Sequence, residues 1–145
     1  MRKALPMVLD TTHYNKEHKF IINELVGRPY TLFEAFRIKG IGSSRMIIDE
    51  VSNNFKKYLN KVSNINYANI EIRKEGILVY INKGLKNYTW AIPYYQLVIY
   101  KTDATSIHAQ GNFIRFNMNK MLKENKQFFK KILNEKIKYS KQFSF

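Results

Sequence analysis

The chain has 145 residues, enough for one domain or one domain with an N-terminal appendage. Its hydrophobic content of 45%, with 14% aromatics, is enough for a packed core and argues against disorder. Twenty-five basic residues against eleven acidic ones give a net charge of +14, and cysteine is absent. The charge predicts attraction to polyanions, namely nucleic acid, an anionic membrane surface or an acidic protein. The alternative is a lysine coat that keeps the protein soluble. The missing cysteines exclude disulfides, thiolate nucleophiles and cysteine-based zinc sites.

The N-terminus, Met1 to Asp10, has a basic start and a short apolar run interrupted by Pro6, too short for a signal peptide. His18 to Val26 and Tyr30 to Ile38 are apolar runs of ambiguous period, separated by the turn signal Gly27-Arg28-Pro29. Either two strands or two short helices fit, the second run leaning to helix. Residues 1–42 are otherwise unassigned.

Ser43 or Ser44 can cap a helix over about 44–62 whose apolar positions are Ile47, Ile48, Val51, Phe55, Tyr58, Leu59 and Val62. Asp49 and Glu50 near its start and Lys56, Lys57 and Lys61 near its end complement the helix dipole.

From Ile70 the period becomes two. Strands are expected around Ile70–Ile72, Ile77–Ile81, Tyr88–Ile92, Tyr95–Tyr100, Ile107–Ala109 and Phe113–Phe116. Turn chemistry falls at Lys74-Glu75-Gly76, Asn82-Lys83-Gly84 and Gln110-Gly111-Asn112, and Pro93 predicts a bend or an edge position. Asn119 can then cap a helix over about 120–139, apolar through Met121, Leu122, Phe128, Phe129, Ile132, Leu133 and Ile137 and lysine-rich opposite. Residues 117–145 carry +6 of the +14. The longest uncharged stretch, Asn87 to Tyr100, has 14 residues, against the roughly 20 a membrane span requires. A soluble, cytoplasmic protein without a transmembrane segment is expected.

The expected architecture is a single α+β domain. It comprises an antiparallel meander or partly closed, barrel-like sheet of four to seven strands over 70–118, the helix at about 44–62, and an amphipathic helix at about 120–139 packed on the sheet.

Candidate chemistry is sparse. His13 and His18 are five residues apart, off one helical face, and His108 alternates with Ile107 and Ala109 in an expected strand, facing solvent or a satisfied partner. No carboxylate pair, nucleophile elbow or phosphate-binding Gly-x-x-x-x-Gly-Lys loop is present. No catalytic residue, metal or cofactor is assigned. Lys39-Gly40-Ile41-Gly42-Ser43-Ser44, ahead of the expected helix, resembles the Gly-hydrophobic-Gly hairpin of helix-hairpin-helix DNA-binding modules, although Ser43 and Met46 depart from that pattern. The likeness implies backbone N–H groups turned to a phosphate; the alternative is a tight turn needing two glycines. Anion-binding candidates are therefore Lys39, Gly40, Gly42, Ser43 and Arg45, together with Lys120, Lys123, Lys126, Lys130 and Lys131 of the last helix.

The segments Glu75-Gly76-Ile77, Trp90-Ala91-Ile92-Pro93-Tyr94, Gln110-Gly111-Asn112-Phe113-Ile114 and Asn125-Lys126-Gln127-Phe128-Phe129-Lys130 share a rhythm. A strand pair around a glycine turn, an Ile-Pro-aromatic step, a glycine hairpin and a closing amphipathic helix follow one another. Over residues 70–136 this resembles the bacterial pleckstrin-homology-like domains, and the resemblance implies binding or scaffolding without catalysis and with no fixed site residues.

The leading expectation is thus a non-enzymatic binding module for a protein or an anionic surface, with a homodimer through a sheet edge as a further partner. The alternatives are a nucleic-acid-binding protein using Gly40-Ile41-Gly42 and the lysine-rich helix faces, and a small enzyme or ligand-pocket protein.

Overall fold

The structure is a computed structural model that describes residues 7–61 and 65–143. Its strands are β1 (Val8–Asp10), β2 (Met46–Val51), β3 (Tyr67–Ile72), β4 (Gly76–Lys83), β5 (Lys86–Pro93), β6 (Val98–Tyr100), β7 (Ser106–Ala109) and β8 (Asn112–Phe116). They form one eight-stranded antiparallel sheet in the order β1-β5-β4-β3-β2-β8-β7-β6. Among the described residues four helices, α1 (Lys16–Val26), α2 (Leu32–Arg37), α3 (Lys120–Glu124) and α4 (Lys126–Lys141), complete the α+β fold expected from the pattern. The sheet is not closed, and it has more strands than expected because β1 and β2 lie ahead of the region where the two-residue period is plain.

The meander follows from its turns. Lys83 registers with Lys86 across the two-residue loop Gly84-Leu85, and Ala109 registers with Asn112 across Gln110-Gly111. Gln110 and Gly111 both have positive φ, 56° and 77°, as the mirror-image turns that match strand twist demand. Pro93 ends β5, and the chain turns through a short 3-10 segment at Tyr94–Gln96 before β6.

The main core lies on one face of the sheet. Met46, Ile48, Ile70, Ile72, Val79, Trp90, Ile92, Ile114 and Phe116 meet Phe128, Phe129 and Ile132 of α4 there. A second cluster sits on the opposite face, where Ile22 and Val26 of α1 cover Leu78 and Ala91. Strands β4 and β5 are therefore buried on both faces, which is why Ile77-Leu78-Val79 and Trp90-Ala91-Ile92 read as continuous apolar runs instead of alternating. Gly76 permits this double layer: a Cβ there would lie 2.2 Å from the Ile92 carbonyl oxygen and 2.8 Å from Val26 Cγ1.

The helix expected over 44–62 does not form. Its first part is β2, and Asn53–Tyr58 is a 3-10 turn that plants Phe55 in the core; Val62 lies outside the described residues. The misleading spacing comes from a β-bulge. Ile48 faces Phe116 while Glu50 faces Arg115, so an extra residue is accommodated at Asp49. Buried positions then run Met46, Ile48, Val51, which imitates a helical step in a segment whose β-branched residues favour a strand.

The closing helix forms, extends to Lys141 and is broken once. Asn125 turns inward between α3 and α4, where its amide accepts from Ser44 N (2.9 Å) and donates to the carbonyls of Ser44 (3.2 Å) and Met121 (2.9 Å). A side chain that satisfies neighbouring backbone in this way competes with helix continuation. Both ambiguous N-terminal runs are helical. Asn15 caps α1 through His18 N, and Thr31 and Glu34 form a reciprocal capping box on α2.

Candidate functional site

The segment that carries α2 is secured at both ends. Tyr30 before it and Ile41 after it pack against the main core, and the Tyr30 hydroxyl donates to Glu135 of α4 at 3.0 Å. Lys131 Nζ donates to the carbonyls of Lys39 and Gly40, both at 2.9 Å, and Lys74 pairs with Glu34 at 2.9 Å. Between these anchors α2 buries none of its residues. Leu32 is 93% exposed, Phe33 70% and Phe36 83%. Exposure of single apolar side chains is ordinary; three large ones on one turn of a fixed helix form a ridge.

An open cleft of about 450 Å³ lies beside the ridge, lined by Arg37, Lys131, Ile137, Lys138 and Lys141. Its one carboxylate, Glu135, accepts from Tyr30 and from Lys138 (3.1 Å). Four cations thus surround a single acid, a local excess of positive charge. Partial burial lowers the Lys131 pKa from its ordinary value; Glu135 opposes that shift and Lys39 adds to it. Burial first, and the Glu135 carboxylate second, push the Tyr30 hydroxyl well up, so it stays a neutral donor.

The sequence-derived candidates separate into groups. Lys39, Gly40 and Lys131 meet at the end of α2. A tight turn is present, with positive φ at Lys39 and Gly40, but Gly42 is not left-handed, so only one of the two glycines supplies that conformation. Gly42 is bridged to Glu71, and Ser43 exchanges hydrogen bonds with Ile70 through its N–H and its hydroxyl. The N–H groups of Gly40, Ser43 and Ser44 are taken by Ala35 O, Ile70 O and Asn125 Oδ1. The chain then enters β2, not the helix that the helix-hairpin-helix likeness required. Arg45 stacks over the Tyr67 ring at 4.3 Å. Lys123 and Lys126 join Lys101 at a smaller depression near the start of α4, and Lys120 and Lys130 are exposed elsewhere on α3 and α4.

Arg37, Lys138, Lys141 and the ridge itself were absent from that set. In the apolar run Leu32-Phe33-Glu34-Ala35-Phe36 nothing local marks the side chains as outward-facing. Its position between two turn signals was the one available hint.

Several titratable groups elsewhere are committed to structure. Arg115 pairs with both carboxylates of the bulge, Asp49 at 3.1 Å and Glu50 at 2.6 Å. Arg73 binds Glu71, Asn23 and the Gly27 carbonyl, which ties α1 to the sheet. His108 Nε2 bonds Ser106 Oγ at 2.9 Å, and burial lowers its pKa. Among the described residues no group of three or more His, Asp or Glu gathers that could hold a metal, and no helix is long and apolar enough to cross a membrane. Compared with family models, curated proteins and solved structures, the chain matches none.

Proposed function

We propose that this chain is a non-enzymatic binding module that attaches to an anionic surface through the face shared by α2 and α4. The observation that carries the reading is the juxtaposition of an outward apolar ridge with a cleft in which Arg37, Lys131, Lys138 and Lys141 outnumber one carboxylate. Fixed cations of one sign, held by a rigid scaffold, focus attraction toward an anionic partner. The resemblance to bacterial pleckstrin-homology-like domains supports the same reading. Nucleic acid held at Gly40-Ile41-Gly42 is less favoured, because the N–H groups of Gly40 and Ser43 are already bonded within the chain. A homodimer through a sheet edge would use β1 or β6, each only three residues long.

Charge reversal at two places tests this. Arg37→Glu/Lys138→Glu/Lys141→Glu, all in the cleft, is expected to weaken binding to heparin and to phosphatidylserine-containing vesicles by about a hundredfold at low salt. The control Lys120→Glu/Lys123→Glu/Lys126→Glu makes the same change in net charge on α3 and α4 and is expected to have a much smaller effect. Equal losses would show that overall charge acts rather than this face.

A further inference from the structure

We infer that the anionic surface is a lipid bilayer, and that α2 enters it as a wedge. Leu32, Phe33 and Phe36 would sit among the upper acyl chains while the cations of the adjoining cleft contact the headgroups. This rests on the preceding reading of the α2–α4 face and names its partner.

Three features favour a bilayer over a protein. The first is size. With aromatic side chains presenting about 150–250 Å² each, the ridge offers roughly 450 Å² of apolar surface. A stable protein interface buries about 800 Å² on each partner. The second is shape and chemistry. All three side chains project from one turn of a helix with no buried residue, and the one acid of α2, Glu34, is withdrawn into its capping box and the Lys74 pair. A bilayer requires no complementary groove and accepts such a wedge.

The third is the order of groups. The apolar side chains run from Leu32 to Phe36 along α2, and cations follow at and just past its end. Arg37 and Lys39 flank the ridge, and Lys131, Lys138 and Lys141 of α4 line the adjoining cleft, which Arg37 borders as well. Ile137, half exposed, lines the same cleft and extends the apolar contact. An apolar tip bordered by long basic side chains suits an interfacial element whose cations reach back to phosphate. A second copy of the chain is a poor occupant, since each molecule carries +14 and would bring like charges together at this face. The wedge is also pre-ordered: Tyr30, Ile41 and Lys131 fix the helix before contact, so insertion does not have to order it.

The experiment compares the full chain with Leu32→Ser/Phe33→Ser/Phe36→Ser, using phosphatidylcholine vesicles with and without phosphatidylserine, and heparin as a soluble polyanion. The wild type is expected to co-sediment with the anionic vesicles. The ridge variant is expected to lose at least about tenfold in partitioning while its heparin affinity and thermal melting stay unchanged. In Phe36→Trp, the new indole should shift to the blue on anionic vesicles and be quenched by lipids brominated along the acyl chain. Trp90, buried in the core, serves as the unquenched reference. Equal partitioning of the ridge variant, or no quenching at position 36, would overturn insertion and leave the anionic-surface reading standing. Binding to heparin without binding to anionic vesicles would overturn the bilayer and point to an acidic protein or nucleic acid. Failure to bind either probe would overturn both readings.

Discussion

Two short N-terminal helices of this chain carry similar apolar content and meet opposite fates. In α1, Ile22 and Val26 are 2% and 0% exposed, closed over Leu78 and Ala91 on the outer face of the sheet. In α2, the apolar side chains face solvent, and the helix keeps its place through contacts on either side of it. The difference lies in what each helix is offered. Strands β4 and β5 present Leu78, Tyr80 and Ala91 outward, and Gly76 lets α1 approach closely. The segment carrying α2 is instead pinned by Tyr30 and Ile41 along the edge of the α4 cleft, where no apolar face waits for the ridge. Burial in the first case serves folding; exposure in the second leaves an apolar patch at the surface, which is the physical ground for the binding role we propose for it.

The comparison breaks most visibly on truncation. Ile22→Ala is expected to destabilise the fold by about 2–4 kcal/mol, since it opens a cavity in a closed layer. Phe36→Ala should change stability by less than about 0.5 kcal/mol. Urea denaturation measures both; comparable losses would mean that α2 is packed in solution.

Next in size is Asn125→Ala. It deprives the Ser44 N–H and carbonyl of their side-chain partners and is expected to cost about 1–3 kcal/mol by the same assay. It should also raise the helicity of residues 120–141, detectable by NMR secondary shifts, because the residue that interrupts the helix is gone.

The smallest effect sharpens the contrast instead of breaking it. Lys131→Met removes the two bonds to the Lys39 and Gly40 carbonyls. Global stability should fall by less than about 1 kcal/mol. Amide exchange across 32–41 is nonetheless expected to speed up several-fold while α1 keeps its protection. Unchanged exchange over α2 would show that Tyr30 and Ile41 suffice to hold it.

Much of the fold was legible in the sequence because its signals are local. The turns at Gly84 and Gln110-Gly111 and the Asn119 cap on α3 each rest on a few neighbouring residues with one conformation available. The segment 44–62 failed for a reason that no local window contains. The bulge at Asp49 exists because β2 must pair with β8, more than sixty residues away, and it shifts the apolar phase into apparent helical register. The candidate site was legible only in part. Lys39, Gly40 and Lys131 could be named, but not that they meet, and the run from Tyr30 to Ile38 reads only as a strand or helix with no face assigned.

The sequence by itself determined the α+β class, the absence of thiol chemistry, the antiparallel meander and the cationic closing helix, since composition, period and turn chemistry are properties of neighbouring residues. Tertiary structure alone decided which apolar helix is covered and which lysines face one another. Those outcomes depend on the faces that distant segments present: the outer face of β4–β5 receives α1, and the edge of α4 leaves α2 bare beside Lys131, Lys138 and Lys141.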